Sequence, residues 1–186
     1  ARIESEPLSE FRVLSDGDDY CGAPTFSPDG AQLVWSCSDW ERGSAVWLAA
    51  GDGTRARLLL DQRFGSDFAW RGDGKALAFS SRHVVNRFNS FSDVYLYEIG
   101  GGLRALTSGD RARNPAFSPD GRDLLVVTNA VQNNQLKRIT VDQRVEALTD
   151  FSDHTQISTP RYSPDGAHLV ASLWRDGVRD LWVLDN

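Results

Sequence analysis

The sequence predicts an all-β protein, a β-propeller with four four-stranded blades in this chain. Three observations support this prediction. A turn-forming segment recurs about every 45 residues, which is the repeat length of a propeller blade. Short apolar runs flank every copy of that segment, and no window shows the periodicity of an amphipathic helix.

The recurring segment is Phe26-Ser27-Pro28-Asp29-Gly30, and its copies occupy residues 70–74, 117–121 and 162–166. Serine, proline, aspartate and glycine suit the four positions of a type I turn, with glycine in the left-handed position. The second copy has Arg71-Gly72 in place of Ser-Pro. We therefore interpret Asp29, Asp120 and Asp165 as hairpin residues rather than as metal ligands.

Each repeat has the same order of predicted strands, and the second strand is apolar on both faces. A sheet that is buried on both sides explains this pattern, as in blades packed face to face around an axis. The predicted strands are 23–26, 33–37, 45–48 and 57–60; 68–70, 77–80, 94–97 and 104–107; 115–117, 124–128, 136–141 and 146–149; and 160–162, 169–173 and 181–184.

Residues 1–10 form a polar lead-in, and residues 11–186 form the predicted propeller. Segment 11–14 resembles the fourth strands, such as 104–107, so it is expected to complete the last blade. A closed four-blade ring is the favoured arrangement, because unpaired sheet edges invite association. The alternatives are a partial propeller and a homodimer that completes a larger ring.

Composition limits the classes of partner. The formal net charge is −6, with 40% hydrophobic and 25% charged residues, as in ordinary globular proteins. An acidic chain argues against nucleic acid as the main partner, and no apolar run is long enough for membrane insertion. Because the sequence starts at Ala1 and has no methionine, we expect a processed form or an excised piece.

Two cysteines, Cys21 and Cys37, flank the first turn almost symmetrically. A hairpin sets such residues nearly opposite each other on neighbouring strands, where a disulfide is feasible. The alternative is a pair of free, half-buried thiols. A disulfide would indicate an oxidising compartment.

The candidate partner-binding surface is the rim opposite the turns. The segment 81–93 is the longest predicted loop there, and aromatic and arginine residues on loops are typical of protein-binding hot spots. The alternative is a loop folded over the rim with its apolar side chains buried. The candidate residues are Trp40, Arg82, His83, Arg87, Phe88, Asn89, Trp174 and Arg175.

Motifs for catalysis are missing from the sequence, so we predict no enzyme activity, no catalytic residue and no cofactor. It has neither a Gly-x-Ser-x-Gly elbow nor a zinc-binding spacing. The first strands place Thr25, Ala69, Ala116 and Arg161 near the axis, a poor set of cation ligands. Asp16, Asp18 and Asp19 resemble the carboxylate-rich start of a calcium-binding loop, but they lack its twelve-residue spacing. A solvated acidic loop is therefore favoured over a calcium site.

The Phe-Ser-Pro-Asp-Gly turn, followed by a leucine, an apolar strand and a Trp/Tyr-Leu strand, resembles the repeat of TolB-type β-propellers. These are WD-repeat-like blades without the Trp-Asp signature. The resemblance covers residues 11–186. It implies a periplasmic or secreted, non-catalytic scaffold that binds a protein or peptide partner, and usually six blades. The alternative is an accessory substrate-gating propeller excised from a larger peptidase or hydrolase.

Overall fold

The computed structural model describes residues 13–14, 20–39, 43–61, 65–86, 89–130, 133–140 and 142–186, and it has an all-β fold. Within these ranges, fifteen strands form four antiparallel sheets that follow one another along the chain. No helix long and apolar enough to cross a membrane occurs in this part of the chain.

The first two sheets have four strands each, paired in chain order. Sheet 1 contains β1 (Tyr20–Phe26), β2 (Gln32–Asp39), β3 (Gly43–Ala50) and β4 (Arg57–Leu60). Sheet 2 contains β5 (Gly65–Trp70), β6 (Ala76–Asn86), β7 (Asn89–Glu98) and β8 (Gly102–Ala105).

Sheet 3 also has four strands, whereas sheet 4 has three in the described part of the chain. Sheet 3 contains β9 (Arg113–Phe117), β10 (Asp123–Ala130), β11 (Asn133–Thr140) and β12 (Val145–Ala147). Sheet 4 contains β13 (Gln156–Tyr162), β14 (His168–Arg175) and β15 (Val178–Asp185).

The recurring turns join the first and second strands of every sheet. In the first copy, the Gly30 amide donates to the Ser27 carbonyl over 2.9 Å, and the other three copies have the same bond. The glycine is left-handed in all four, with φ between 67° and 75°. In the second copy, Arg71 Nε donates to Asp73 Oδ1 over 2.9 Å, so the guanidinium replaces the serine hydroxyl.

The core lies between consecutive sheets, which explains why the second strands are apolar on both faces. Sheets 1 and 2 meet through Val34, Val46, Leu48, Leu77 and Phe79. Sheets 2 and 3 meet through Ala76, Ala78, Val94, Leu96, Leu124, Val126 and Ile139. Sheets 3 and 4 meet through Leu125, Val127, Leu136, Ile157, Leu169, Ala171 and Leu173.

The four sheets form an open arc, so the expectation of a closed four-blade ring is wrong. The first strands β1, β5, β9 and β13 contact one another in turn, which places them along the inner edge of the arc. Packing in the described ranges joins consecutive sheets, and sheets 1 and 4 do not pack together. Of the segment 11–14, which was expected to close the ring, residues 11 and 12 lie outside the described part of the chain, and Leu14 lies beside Leu33 and Trp35 of sheet 1.

The cysteines form a disulfide, Cys21–Cys37, between facing positions of β1 and β2. It lies on the face of sheet 1 that points away from sheet 2, next to Trp35 and Trp47. These two indole rings stack with their centroids 6.4 Å apart. The disulfide and the tryptophan pair together stabilise this outer face.

Replacing both cysteines with alanine is expected to lower the free energy of unfolding by about 3 kcal/mol, because a closed loop of this size restricts the unfolded chain. The bond joins residues 16 apart in sequence. Urea unfolding with and without a reducing agent measures the effect. The reducing agent should destabilise the wild type by a similar amount and leave the double variant unchanged. Equal stability of all samples would contradict the prediction.

Candidate functional site

The arc has two rims, which we define by their connections. The turn rim carries the four recurring turns between first and second strands. The loop rim carries the connections between second and third strands, and also those that lead from one sheet to the next. Antiparallel strands alternate in direction, so the connections between second and third strands and the connections between sheets lie at the same end of every sheet.

Among the described strands, β6 and β7 form the longest hairpin that points to the loop rim. Its strands have 11 and 10 residues, whereas the corresponding strands of the other three sheets have 8 each. The pairing continues through Val84 with Ser90 and Asn86 with Asn89. The expectation of a loop over 81–93 is therefore wrong. Val84, Val85 and Phe91 are strand formers, so the chain extends the sheet here instead of leaving it.

The structure describes some of the predicted partner-binding residues fully, some by their backbone only, and some not at all. Arg82 is exposed on β6, and the Trp174 side chain on β14 is 39% exposed. His83 and Asn89 belong to the backbone of the long hairpin, where the structure describes no side-chain position. Trp40, Arg87 and Phe88 lie outside the described residues, and a binding role for all of these remains a prediction.

Arg175 is tied to its own rim by three contacts. Its Nη2 lies 2.9 Å from Asp153 Oδ2, and its Nε donates to Thr155 Oγ1 over 2.9 Å. The guanidinium also lies 5.8 Å from the centre of the Phe151 ring. The Thr155 hydroxyl is the main cause that lowers the pKa of Asp153, and the Arg175 charge adds to it. Arg175 therefore orders the connection between sheets 3 and 4.

A second arginine–aromatic contact on the loop rim was not predicted. The Arg111 guanidinium lies 4.6 Å from the centre of the Phe91 ring, which joins the connection after sheet 2 to the long hairpin. Such contacts are worth about 0.5–1 kcal/mol at exposed sites. The two residues are not close in sequence, so a local sequence pattern does not reveal their proximity.

The inner edge of the arc carries a row of four bulged residues, one from each first strand, which we call the axial row. Each has a positive φ near 50° and lies at an irregularity in the pairing of the first and second strands. The members are Ala23, Asp67, Asn114 and Thr159. Bulges bend a strand and redirect its side chains, so the predicted axial set of Thr25, Ala69, Ala116 and Arg161 missed these residues.

Three members of the axial row, Asp67, Asn114 and Thr159, are linked by hydrogen bonds from one blade to the next. The Asn114 amide donates to Asp67 Oδ2 over 3.4 Å, and the Thr159 amide donates to the Asn114 side-chain oxygen over 3.4 Å. Ser80 Oγ also donates to Asp67 Oδ2, over 3.1 Å. These oxygens hold neighbouring blades together, and the described residues contain no cluster of three or more side chains arranged to bind a metal ion. Asp16, Asp18 and Asp19 lie outside the described part of the chain.

The turn rim carries exposed aspartates that are bonded within their own turns. Ser118 Oγ donates to Asp120 Oδ1 over 2.6 Å, and the Arg122 amide donates to the same oxygen over 3.1 Å. The serine hydroxyl is the main cause that lowers the pKa of Asp120, and the equivalent serines lower the pKa values of Asp29 and Asp165. For Asp73 the main cause is the hydrogen bond from Arg71.

We expect the protein to lose stability below the ordinary aspartate pKa of 3.8. The folded pKa values lie below the unfolded one, so the stabilisation is complete above pH 3.8 and disappears as the pH falls through the folded values. Urea midpoints measured from about pH 7 to about pH 2.5 test this. Ser118→Ala removes the hydrogen bond that is the main cause of the lowered pKa of Asp120. The urea midpoint of this variant should therefore fall less steeply as the pH is lowered. A midpoint that rises on acidification would contradict the prediction.

This architecture defines a class, a β-propeller-type protein built from four-stranded blades. No family model matches the sequence. An uncharacterised protein of Agrobacterium fabrum is 28% identical over 147 residues, which cover 77% of this chain and 48% of that protein. The Tol-Pal system protein TolB of Anaeromyxobacter sp. strain K is 26% identical over 142 residues, which cover 75% of this chain and 32% of that protein. The chain thus spans half or less of the length of these relatives.

Solved structures give the same fold. TolB from Acinetobacter baumannii superposes with a TM-score of 0.72 and 17% identity, over 92% of this chain and 42% of that one. A puromycin-hydrolysing peptidase of Mycobacterium tuberculosis superposes with a TM-score of 0.71 and 16% identity, over 90% of this chain and 30% of that one. The chain is therefore similar to TolB and TolB-like propellers in fold.

Proposed function

We propose that this chain is a non-catalytic β-propeller scaffold that binds a protein or peptide partner on its loop rim. The observation that carries the proposal is the long β6–β7 hairpin, which extends past the shorter hairpins of the other sheets. A projecting strand pair offers both backbone edges and side chains to a partner. Arg82 is exposed on this hairpin, and Trp174 is exposed on the same rim.

The other surfaces of the arc favour a structural role. The turn-rim aspartates are bonded to the serines, arginine and amides of their own turns. The axial oxygens of Asp67 and Asn114 accept bonds from the next blade. Side-chain oxygens that already accept structural hydrogen bonds are poor nucleophiles or bases, so we propose no catalytic residue and no cofactor.

The proposed location is the periplasm or the exterior of the cell. The disulfide supports it, because such bonds persist in oxidising compartments. The resemblance of the repeats to TolB-type propellers implies the same location and a protein partner, and the similarity to the Tol-Pal system protein TolB agrees with that resemblance. The net charge of −6 favours a protein over nucleic acid.

A photo-crosslinking amino acid in place of Arg82 tests the proposal. Irradiation in an envelope extract of the source organism is expected to give a discrete crosslinked protein. The matched control carries the same amino acid in place of Arg122, an arginine on the turn rim whose side chain is 80% exposed. Crosslinks of equal yield at both positions, or none at Arg82, would contradict binding on the loop rim.

The second candidate is an accessory propeller that gates substrate access in a larger peptidase or hydrolase. Its support is the likeness in fold to the puromycin-hydrolysing peptidase, in which the matched part is 30% of the chain. The same crosslinking experiment separates the candidates. A hydrolase domain crosslinked at Arg82 favours the gating role, whereas a protein without hydrolase activity favours the scaffold.

A further inference from the structure

The core between two consecutive sheets ends at the turn rim in a place that we call a junction. At the junction of sheets 2 and 3, apolar residues from both sheets line a cavity of about 160 Å³: Leu96, Leu106, Phe117, Leu124 and Ile139. An engineered cavity of about 150 Å³ lined by leucine, isoleucine and phenylalanine binds benzene. The junction of sheets 2 and 3 therefore has room for one apolar group.

Larger side chains stand in the equivalent positions at the junction of sheets 1 and 2. The strand register makes Trp70 the equivalent of Phe117, and Tyr97 the equivalent of Ile139. Trp70 and Tyr97 both pack against the core between sheets 1 and 2. An indole is larger than a phenyl ring, and a tyrosine side chain is larger than that of isoleucine. The smaller pair at the junction of sheets 2 and 3 therefore leaves space that the larger pair fills.

An arginine takes the corresponding space at the junction of sheets 3 and 4. Arg138 has in β11 the register position that Leu96 has in β7. Its Nη1 lies 3.1 Å from Glu146 Oε2, and its Nη2 donates to the side-chain oxygen of Asn186. The Arg138 side chain is only 19% exposed, so it lies mostly between the two sheets. A leucine in the same position is shorter and leaves the junction of sheets 2 and 3 open.

Charged residues of both signs line the same cavity. The arginines are Arg71, Arg104 and Arg122, and the carboxylates are Glu98 and Asp123. Arg104 and Glu98 are exposed, and the Arg122 side chain is 80% exposed, so these charges lie where the cavity opens to water. The cavity thus combines an apolar interior with guanidinium and carboxylate groups at its opening.

Arg104 lies opposite a residue with which it cannot form an ion pair. On β8 it is paired with Leu96 of β7. In sheet 3 the equivalent cross-strand pair is Glu146 with Arg138, and these two side chains form an ion pair. The exchange of a charged pair for a leucine and an arginine both opens the cavity and places a guanidinium beside it.

The irregular second turn adds a further arginine to the cavity. Arg71 stands where the other three turns have serine, and its Nε donates to Asp73 Oδ1 over 2.9 Å. Its aliphatic part crosses to the third turn, where a Cβ on Gly121 would lie 2.8 Å from Arg71 Cγ. A serine is too short to reach the third turn. The departure of this turn from the repeat therefore builds part of the cavity wall.

We propose that this cavity binds a free α-amino acid with an apolar side chain. The side chain of the ligand enters the apolar interior. Arg104 and Arg122 bind its carboxylate, and Glu98 and Asp123 bind its ammonium group. Such charge-assisted hydrogen bonds are roughly twice as strong as neutral ones. A residue of a peptide does not carry both charges, so the mixed charges at the opening favour a free amino acid.

The proposed site is separate from the loop rim, so it stands or falls independently of the proposed function. Its ligand is a small molecule, so a photo-crosslinker at Arg122 would still give no crosslinked protein.

An NMR titration of the isotope-labelled 186-residue chain with L-leucine and with L-phenylalanine gives the first test. We expect shifts of the Leu96 and Leu124 amide signals and a Kd of about 1 mM or tighter. N-acetyl-L-leucine lacks the ammonium group and L-leucinamide lacks the carboxylate. Each should bind about tenfold more weakly, because charge-assisted hydrogen bonds are lost. Absence of binding by both amino acids, or equal binding of leucine and its two derivatives, would overturn the proposal.

Three variants give the second test. Arg104→Ala should weaken the binding of L-leucine about tenfold. The matched control is Arg57→Ala, since Arg57 has in β4 the register position that Arg104 has in β8, and it should leave the affinity unchanged. Phe117→Trp copies the junction of sheets 1 and 2, so it should fill the cavity and abolish binding.

Urea unfolding shows whether each variant is folded. Arg104 is exposed, so its variant decides the question even where Phe117→Trp does not fold. An affinity that is the same in Arg104→Ala, Arg57→Ala and the wild type would place the ligand elsewhere and refute the assignment.

Discussion

Replacing Phe79 with alanine is expected to lower the free energy of unfolding by about 3–5 kcal/mol, the usual cost of removing a buried phenylalanine. Phe79 is fully buried in the core between sheets 1 and 2. Its ring centroid lies 5.8 Å from that of Phe68 and 6.0 Å from that of Tyr95. The variant therefore loses two aromatic contacts and leaves a cavity in the core between sheets 1 and 2.

Urea unfolding of Phe79→Ala and of a matched control measures this effect. The control is Phe26→Ala, which removes the same side chain from a position that is 57% exposed on the first turn. We expect a loss of at most about 1 kcal/mol there, since little area returns to water. Similar losses in both variants would show that the interface between sheets 1 and 2 is not the stability core.

The expected loss at Phe79 also affects the loop rim. Phe79 lies on β6, the strand that continues into the long hairpin. Its neighbour Tyr95 lies on β7, directly opposite in the pairing. The base of the proposed binding hairpin is thus anchored in the core, and we infer that the hairpin holds its orientation because of this anchor.

Much of the fold could be predicted from sequence because the decisive signals are local. Proline and glycine fix the recurring turns, and short apolar runs mark the strands on either side. Second strands with apolar residues on both faces already indicate sheets that are buried on two sides. These features depend on residues close together in the chain, so periodicity and turn chemistry are sufficient to find them.

The features that the sequence did not reveal depend on contacts between distant residues. The bulges that carry Asp67 and Asn114 have no signature, because both are non-glycine residues with positive φ. The hairpin over 81–93 was predicted as a loop, since its polar residues obscure the strand pattern. Closure of the ring depends on angles between sheets, and these follow from packing rather than from turn sequence.

The site illustrates the same division. The sequence alone indicated that arginine and aromatic residues lie on the loop rim. It did not indicate which arginine contacts which aromatic ring. Arg175 was proposed as a contact residue, and the structure shows it bonded to Asp153 and Thr155. Arg111 was overlooked, although its guanidinium covers the Phe91 ring. Composition identifies a surface rich in such residues, whereas the fold decides which of them are already engaged.

Replacing Asp93 with alanine is expected to lower the free energy of unfolding by about 3 kcal/mol, the cost of leaving buried hydrogen-bond donors unsatisfied. The substitution leaves the Thr107 hydroxyl and the Gly109 amide without their carboxylate acceptor at a buried position. The fourth strand of sheet 2 should detach locally before the protein unfolds. Urea unfolding gives the global loss, and hydrogen exchange at the Val94 amide, which donates to Thr107, reports the local opening.

Two further variants separate the loss of the hydrogen bonds to the Asp93 carboxylate from a general effect of lost charge. Asp93→Asn keeps an oxygen acceptor, as Gln135 provides in sheet 3, and should cost about 1 kcal/mol. Asp180 has in β15 the register position that Asp93 has in β7, but its carboxylate is exposed. Asp180→Ala should therefore change the free energy of unfolding by less than about 0.5 kcal/mol. Equal losses at Asp93 and Asp180 would mean that the hydrogen bonds from Thr107 and Gly109 to Asp93 do not hold the fourth strand of sheet 2. A large difference would measure what the hydrogen bonds of the buried Asp93 carboxylate contribute to holding the segment after β8 against β7.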